Sequence, residues 1–496
     1  MNDRQLRRIR TGYCVLGHET FLAMLVFSLI WMFPRVCCMD SAYQVFDLVN
    51  SGHFTINDGR RSMVVSELLP LLFLKLHMPL PWIVAAYSAS FVLMAYGCYI
   101  AVRHLLKDHG TALAMLFPFL CMNHTFLHGI SETFQLMFAA ALLYALLAYR
   151  RRSDSKVAAA CHAAALLLVA AFCAFIHPVA ILFLAFVWLY VWVDEGFRFR
   201  WETVFALAAF VLVEALKLLL PAQGSRDATF LLPLPELLSK LPDFWHFGSL
   251  RFLRDHIFSL YYMSLLLFVW TSVWYIRRKM VWKSVFYIGF NLVFLFITLW
   301  IYFAGDGPIA MERSFLPMAL FTALPFVREV IPSWKPFGQE HVAVLLMALL
   351  VTSFIRIGNG AEQASERLQK MDDLLVEARQ DGVRKLLVSK EDAASFGVGY
   401  SWSSGIESML YTSAKRGASG CSNLFIYEDL SQLRFPEIYD TDRVAFVPWW
   451  IFLNYSGICS EYFSIPESPY YFLERHGDTL RFVPAKQFMG NPELTE

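Results

Sequence analysis

The connection between the first two apolar runs, residues 37–80, carries Asp40, Asp47, the pair Arg60 and Arg61, and Ser66-Glu67. A carboxylate held beside apolar surface at a membrane boundary has a raised pKa and can act as a general base on a hydroxyl. Adjacent arginines offer planar, forked donors that match a phosphate group. Asp40 and Asp47 are seven residues apart, so on one helix they face nearly the same way, two turns apart. Asp40 also precedes Ser41-Ala42-Tyr43 in the manner of a helix N-cap, a structural role compatible with a chemical one. Lys75 reads as a snorkelling interfacial lysine.

Further along, His124, His128 and Glu132 fall in a connection too short to be a domain. The histidine spacing of four suits a divalent metal if the segment is helical, and capping or interfacial roles if it is not. At His177-Pro178 the proline accounts for the turn, while the histidine meets no structural need. Arg251, Arg254, Asp255 and His256 follow the interfacial aromatic segment Phe244-Trp245-His246-Phe247. Glu214 and Lys217, three apart, pair with each other. Glu312-Arg313 follows Gly305-Asp306-Gly307-Pro308, and Arg313 is the one basic residue in a set of short connections where topology alone would avoid one. It is the best phosphate-ligand candidate, with Glu312 beside it.

These residues need a membrane-embedded scaffold to position them. Of 496 residues, 57% are hydrophobic and 17% charged, and the mean hydropathy of +0.48 is too high for a soluble protein of this size. Apolar runs at about 15–35, 81–102, 111–122, 133–149, 157–176, 179–193, 202–220, 257–276, 284–303, 314–328 and 340–356 predict about eleven spans, several of them short. Arg4, Arg7, Arg8 and Arg10 ahead of the first run make it an uncleaved signal anchor. Basic residues cluster in alternate connections: Arg103 and Lys107, Arg150–Arg152 and Lys156, Arg198 and Arg200, Arg277–Lys283, then Arg328 and Lys335. The positive-inside rule therefore predicts a cytoplasmic N-terminus and puts the 37–80 loop and everything after Ile357 outside. The net charge of +1 gives no sign of nucleic-acid binding.

From Ile357 the composition becomes that of a soluble protein. Residues 361–380 read as an amphipathic helix with Leu368, Met371, Leu374 and Leu375 on one face. Strands at Lys385–Ser389, Leu424–Tyr427 and Val444–Pro448, and a helix near Gly405–Ala414, complete a small α/β domain. The expected organisation is a transmembrane helical domain, 1–356, and a soluble periplasmic domain, 357–496. The nine cysteines show no metal-ligand spacing, and Cys421 and Cys459 can pair if that domain is extracytoplasmic.

Met39-Asp40 after the first span, Asp47, Ser131-Glu132, His177-Pro178 and Glu312-Arg313-Ser-Phe-Leu-Pro together resemble the GT-C superfamily of polytopic glycosyltransferases, in particular the GT-C-like proteins of Bacteroidota. The last segment is similar to that group's late-span E-R-(Y/F)-L-L-P-L pattern. Many members carry Asp-Glu after the first span, where this chain has Asp40-Ser41, so the resemblance leaves Asp40 and Asp47 both as candidate bases. It implies an enzyme of the bacterial inner membrane, with a polyprenyl-phosphate sugar donor and a hydroxyl acceptor on a lipid, glycan or protein. Inverting transfer follows, with Arg313 and Arg60 or Arg61 on the leaving phosphate and Glu132, Glu312 and His177 around the substrate; a divalent metal is possible but not required. An O-antigen-type polymerase or ligase, and a lipid-linked-glycan transporter or flippase, are the rival readings. The first expects a large late outer loop, which 304–313 is too short to supply, and the second expects midplane charges in repeated helices.

Overall fold

The computed structural model describes residues 3–56, 60–129, 131–149, 155–198, 200–219, 234–305, 307–334, 336–429, 441–448, 451–476 and 479–485. Arg150–Arg152, Asp306 and Lys335 lie outside them. The membrane part is built from α1 (Asp3–Ile30), α2 (Met39–Ser51), α3 (Val64–Lys75), α4 (Leu80–Ile100), α5 (Glu132–Ala148), α6 (Lys156–Ala174), α7 (Ala180–Asp194), α8 (Trp201–Leu219), α9 (Gly248–His256), α10 (Tyr262–Arg277), α11 (Val281–Ile301), α12 (Pro308–Phe315), α13 (Pro317–Pro325) and α14 (Pro336–Gln380). Six stretches are long and apolar enough to cross a bilayer: Ile9–Ile30, Leu80–Leu105, Lys156–Ala174, Val281–Ile301, Ile309–Ser333 and His341–Gln380. Three shorter apolar helices, His109–Cys121, Glu132–Ala148 and Ala180–Asp194, accompany them. By length and composition the protein is therefore a multi-pass membrane protein, with fewer full-length spans than the eleven apolar runs.

Aromatic side chains fill the bundle interior. Phe21 of α1 lies 5.3 Å from Phe119 and 5.7 Å from Phe138 of α5, and Phe186 of α7 lies 4.6 Å from Phe321 of α13 (ring centroids). At one end, Glu329 accepts hydrogen bonds from Tyr190, Tyr275 and Lys283, each at 2.8 Å. Arg328 pairs with Asp108 there at 2.5 Å. A charge at a helix terminus inside the bundle is tolerated because partners from several helices satisfy it together.

The helix α14 has 45 residues, roughly 67 Å of helix at 1.5 Å per residue. It runs through Ile357 without a break, so the change of composition falls inside one rod. Its first half exposes Val344, Leu345, Met347, Val351 and Ile355, whereas its second half buries Leu368, Met371, Leu374 and Leu375. Beyond it lie β1 (Lys385–Ser389), α15 (Ser404–Arg416), β2 (Asn423–Tyr427), β3 (Val444–Phe446), β4 (Phe452–Asn454), β5 (Tyr471–His476) and β6 (Thr479–Pro484). The main sheet has the order β2-β1-β5-β6, with β1 parallel to both neighbours and β5–β6 an antiparallel hairpin; β3 and β4 pair separately. Cys421 and Cys459 are both free thiols, so the disulfide that the sequence allowed is not formed.

The connection ahead of α12 is held by a backbone contact that excludes side chains. The amide of Gly248 donates to Phe303 O at 2.8 Å, and a Cβ on Gly248 would meet the Ala304 carbonyl oxygen at 2.3 Å. Nothing lies within 4 Å of a Cβ added to Gly307. Gly248→Ala should therefore lower the Tm of the detergent-solubilised protein, at a cost on the order of 2 kcal/mol. Gly307→Ala should leave it unchanged, and thermal unfolding of the two variants side by side checks both.

Candidate functional site

The turn 123–129, between the first and second thirds of the bundle, is fixed by two buried charges. Glu312, at the middle of α12 and 1% exposed, accepts hydrogen bonds from the backbone amides of Asn123 (2.6 Å), Thr125 (2.8 Å) and His124 (2.9 Å). Those donors are orphans at the start of the one-turn helix His124–Leu127, and a carboxylate satisfies them well. From the other side, the guanidinium of Arg35 donates to Ser88 Oγ at 2.9 Å and to the Phe126 carbonyl, lying 4.0 Å over the Phe126 ring. The Arg35 carbonyl accepts from Gly129 N at 3.1 Å, and a Cβ on Gly129 would stand 2.8 Å from that oxygen.

This turn delivers His128 to Asp40. The His128 Nε2 lies 3.6 Å from Asp40 Oδ2, with side-chain exposures of 5% and 47%. Burial lowers the His128 pKa, with Arg313 and Arg35 acting in the same sense and Asp40 and Glu132 opposing, so the imidazole is held neutral. Just beyond, Ser131 Oγ caps α5 by accepting from Phe134 N at 3.3 Å, and Glu132 occupies the first turn, where helix polarity favours an anion. Its Oε1 pairs with Arg60 Nη1 at 2.5 Å, and Oε2 lies 3.9 Å from Arg313 Nη1. His177 lies within electrostatic range of Glu132.

A polar floor continues under these charges. Tyr87 donates to Gln44 Oε1 at 2.9 Å, and Gln135 Nε2 to Ser66 Oγ at 3.1 Å. Tyr87 is within electrostatic range of Glu67, Glu132 and Asp40. Ser41 Oγ, Glu67 Oε1, His128 Nδ1, Glu132 Oε2 and Gln135 Oε1 are buried and have no hydrogen-bond partner among the described residues. Each such atom costs about 1–3 kcal/mol when left dry and unpaired. Five of them in one region are unfavourable for folding alone and suited to a polar ligand.

Asp40, Arg60, Glu132, His177 and Arg313 are thus brought together, as the sequence reading required. Several residues are placed otherwise than expected. Glu312 is bonded to three backbone amides and faces the His124 imidazole. Arg61 is exposed and turns to the Phe175 ring, 5.7 Å away, apart from its neighbour Arg60. Asp40 is not an N-cap: α2 starts at Met39 with Cys38 at the cap position. His124 and His128 do not share a metal, because the helical turn between them ends at once and they face different carboxylates, Glu312 and Asp40. Asp47 sits two turns from Asp40 beside Thr55 and Glu67, where burial raises its pKa against the Thr55 hydrogen bond. Tyr87 and Gln135 were not anticipated, and Glu67 and Arg35, though noted in and at the edge of the first connection, were given no role of their own; the signal for Arg35 was a charge at the end of an apolar run that needed none.

The C-terminal domain reaches into this region through Glu407. Its Oε1 accepts from Met39 N at 2.8 Å and from Ser401 and Ser403 at 2.5 and 2.8 Å, and its Oε2 pairs with Arg367 at 2.7 Å. Burial opposes the Glu407 charge, but Arg367 and the donors outweigh it and hold the carboxyl below its ordinary range. Met39, immediately before Asp40, has φ +46°, a conformation that a non-glycine residue adopts at a cost. Cys459 N to Asn50 Oδ1 at 2.9 Å and the Phe46–Phe463 contact at 5.2 Å complete the docking of α2.

Glu407→Gln should weaken the Arg367 pair and the hold on Met39, lowering stability on the order of 2–3 kcal/mol. Amide hydrogen exchange over residues 38–42 should accelerate in that variant. Glu67 yields a pH prediction. Burial pushes its carboxyl from 4.5 up to about 7, against the Thr55 amide and with help from Asp47. The folded state then keeps a proton that the unfolded state releases, so stability is highest below about 4.5 and is lost as pH rises to about 7. Glu67→Gln, which can still accept from Thr55, should flatten this fall in Tm measured across pH 5 to about 8. No protein family matches the sequence and no curated protein is similar to it, so the chemistry of the site is read from its geometry.

Proposed function

We propose that the protein is an integral-membrane glycosyltransferase of GT-C type, transferring a sugar from a polyprenyl-phosphate donor to a hydroxyl of a lipid, glycan or protein acceptor. The observation that carries this reading is the meeting of Asp40 and His128 with the Arg60–Glu132–Arg313 bridge. A carboxylate half open to solvent lies against a histidine that is itself within electrostatic range of Arg313 and Glu132, an arrangement suited to displacement of a phosphate by a hydroxyl.

In this reading Asp40 takes the acceptor proton as the hydroxyl oxygen bonds to the anomeric carbon. The bond from that carbon to the phosphate oxygen breaks, its electron pair leaves with the phosphate, and the configuration inverts. Neutral His128 positions the Asp40 carboxylate without neutralising it. Glu132 keeps Arg60 and Arg313 aimed before the substrate arrives, and Arg313, the looser partner at 3.9 Å, turns to the phosphate as its charge grows. Positive charge that a divalent ion supplies in other phosphate sites comes here from the two guanidiniums. The prenyl chain runs along α3, whose Val65, Leu68 and Leu72 are exposed on one stripe next to the site. With the positive-inside pattern, the site and the C-terminal domain face the periplasm of a bacterial inner membrane. Eleven crossings, some short, follow if α8, α10 and the three shorter helices also span.

Purified protein with a labelled polyprenyl-phosphate sugar and an acceptor extract tests this. Asp40→Asn should lower turnover about a thousandfold and Arg313→Ala about a hundredfold, while Asp47→Asn stays within about threefold of wild type. Full turnover in Asp40→Asn removes the proposed base, and with it the reading.

A further inference from the structure

At the other end of α1 from the site, three potential metal ligands converge that the sequence spacing did not reveal. Cys14 and His18 lie one turn apart on α1, and His104 sits in the π-turn Ala101–Leu105 that ends the span begun by α4. Their ligand atoms all lie within 4.8 Å of one another. The two imidazoles point Nε2 at Nε2, 3.1 Å apart. Around a tetrahedral zinc ion with Zn–N near 2.0–2.1 Å, two nitrogens stand about 3.3 Å apart and a nitrogen and a thiolate about 3.6 Å apart. The histidine pair is therefore already near ligand spacing, and the thiol needs a shift of at most about 1 Å.

Two features of the surroundings support a built site. His18 Nδ1 is hydrogen-bonded to Tyr96 Oη at 2.7 Å, the outer contact that fixes a ligating imidazole and leaves Nε2 for the metal. Gly17 allows the close approach of the two helices, since a Cβ there would overlap the Tyr99 hydroxyl at 1.9 Å. Among the described residues Arg103 is a charged group near the cluster, acting electrostatically on His18 and donating to the Arg10 carbonyl at 2.7 Å. A bound cation would be balanced against it by the Cys14 thiolate. Without a metal, the same pair makes an imidazole–imidazole hydrogen bond, so metal retention is the property that separates the two.

We propose that Cys14, His18 and His104 bind one zinc-class ion, with water in the fourth position on the exposed His104 side. One thiolate and two imidazoles suit a borderline-soft ion and disfavour magnesium or calcium. The ion clips the N-terminal half of α1 to the far end of α4.

The test uses the full-length protein in detergent, without a polyhistidine tag, stripped with chelator and dialysed against micromolar zinc. Elemental analysis should return one zinc per chain. Cobalt(II) in its place should show tetrahedral d–d bands and a thiolate-to-metal charge-transfer band, a readout that needs no variant. Cys14→Ser and His104→Ala should weaken retention more than tenfold and abolish the zinc-dependent rise in Tm, while Cys161→Ser, at an exposed cysteine, should change neither. Absence of retained zinc, a cobalt spectrum without thiolate ligation, or equal retention in Cys14→Ser and His104→Ala would each overturn the proposal.

Discussion

A carboxylate buried at the start of a helix in a hydrophobic bundle must find positive partners, and the arrangement around Glu132 follows from that requirement. Its two oxygens face Arg60 from the first connection and Arg313 from α12, so one side chain ties together three segments far apart in the chain. An uncompensated charge in such a place costs several kcal/mol. The pairing therefore locates both arginines as firmly as it locates the acid. The turn that precedes α5 obeys the same logic: Glu312 and Arg35 hold it from opposite sides, each spending most of its hydrogen-bonding capacity on backbone groups. The buried polar atoms left without a hydrogen bond among the described residues, including His128 Nδ1 and Gln135 Oε1, lie where a polar ligand would sit.

The C-terminal domain shares an interior with the first connection. Val45, Phe46, Leu48 and Val49 of α2 belong to the same apolar cluster as Leu368, Ile406, Met409 and Phe463. Glu407 adds a polar lock at Met39, the residue before Asp40. The domain thus forms one wall of the region in which Asp40 sits. Its attachment through α14 joins that wall to the membrane part by one continuous helix, with Gly358 and Gly360 at the boundary.

Much of this was legible from the residues. The long apolar runs, the amphipathic second half of α14 with Leu368, Met371, Leu374 and Leu375 inward, and the strand at Lys385–Ser389 all follow from periodicity and composition. Asp40, Arg60, Glu132, His177 and Arg313 stood out because ionisable groups at the ends of apolar runs are costly and need a reason. Glu312 stood out for the same cause and proved to have a different one, because a buried acid can be satisfied by backbone amides as well as by a ligand. Arg61 shows the converse: adjacent residues in an irregular segment point in different directions, and sequence adjacency does not imply a shared target.

The amino-acid sequence by itself determined that this chain is a multi-pass helical membrane protein with a soluble α/β portion, since burial of apolar surface and the two backbone periodicities act locally and are written in the order of residues. The tertiary structure alone decided that Asp40 rather than Asp47 meets His128, that Glu132 joins two arginines, and that Cys14 and His18 face His104. Those outcomes depend on which helix faces pack together, and electrostatic pairing across large sequence separations leaves no periodic trace from which it could be read.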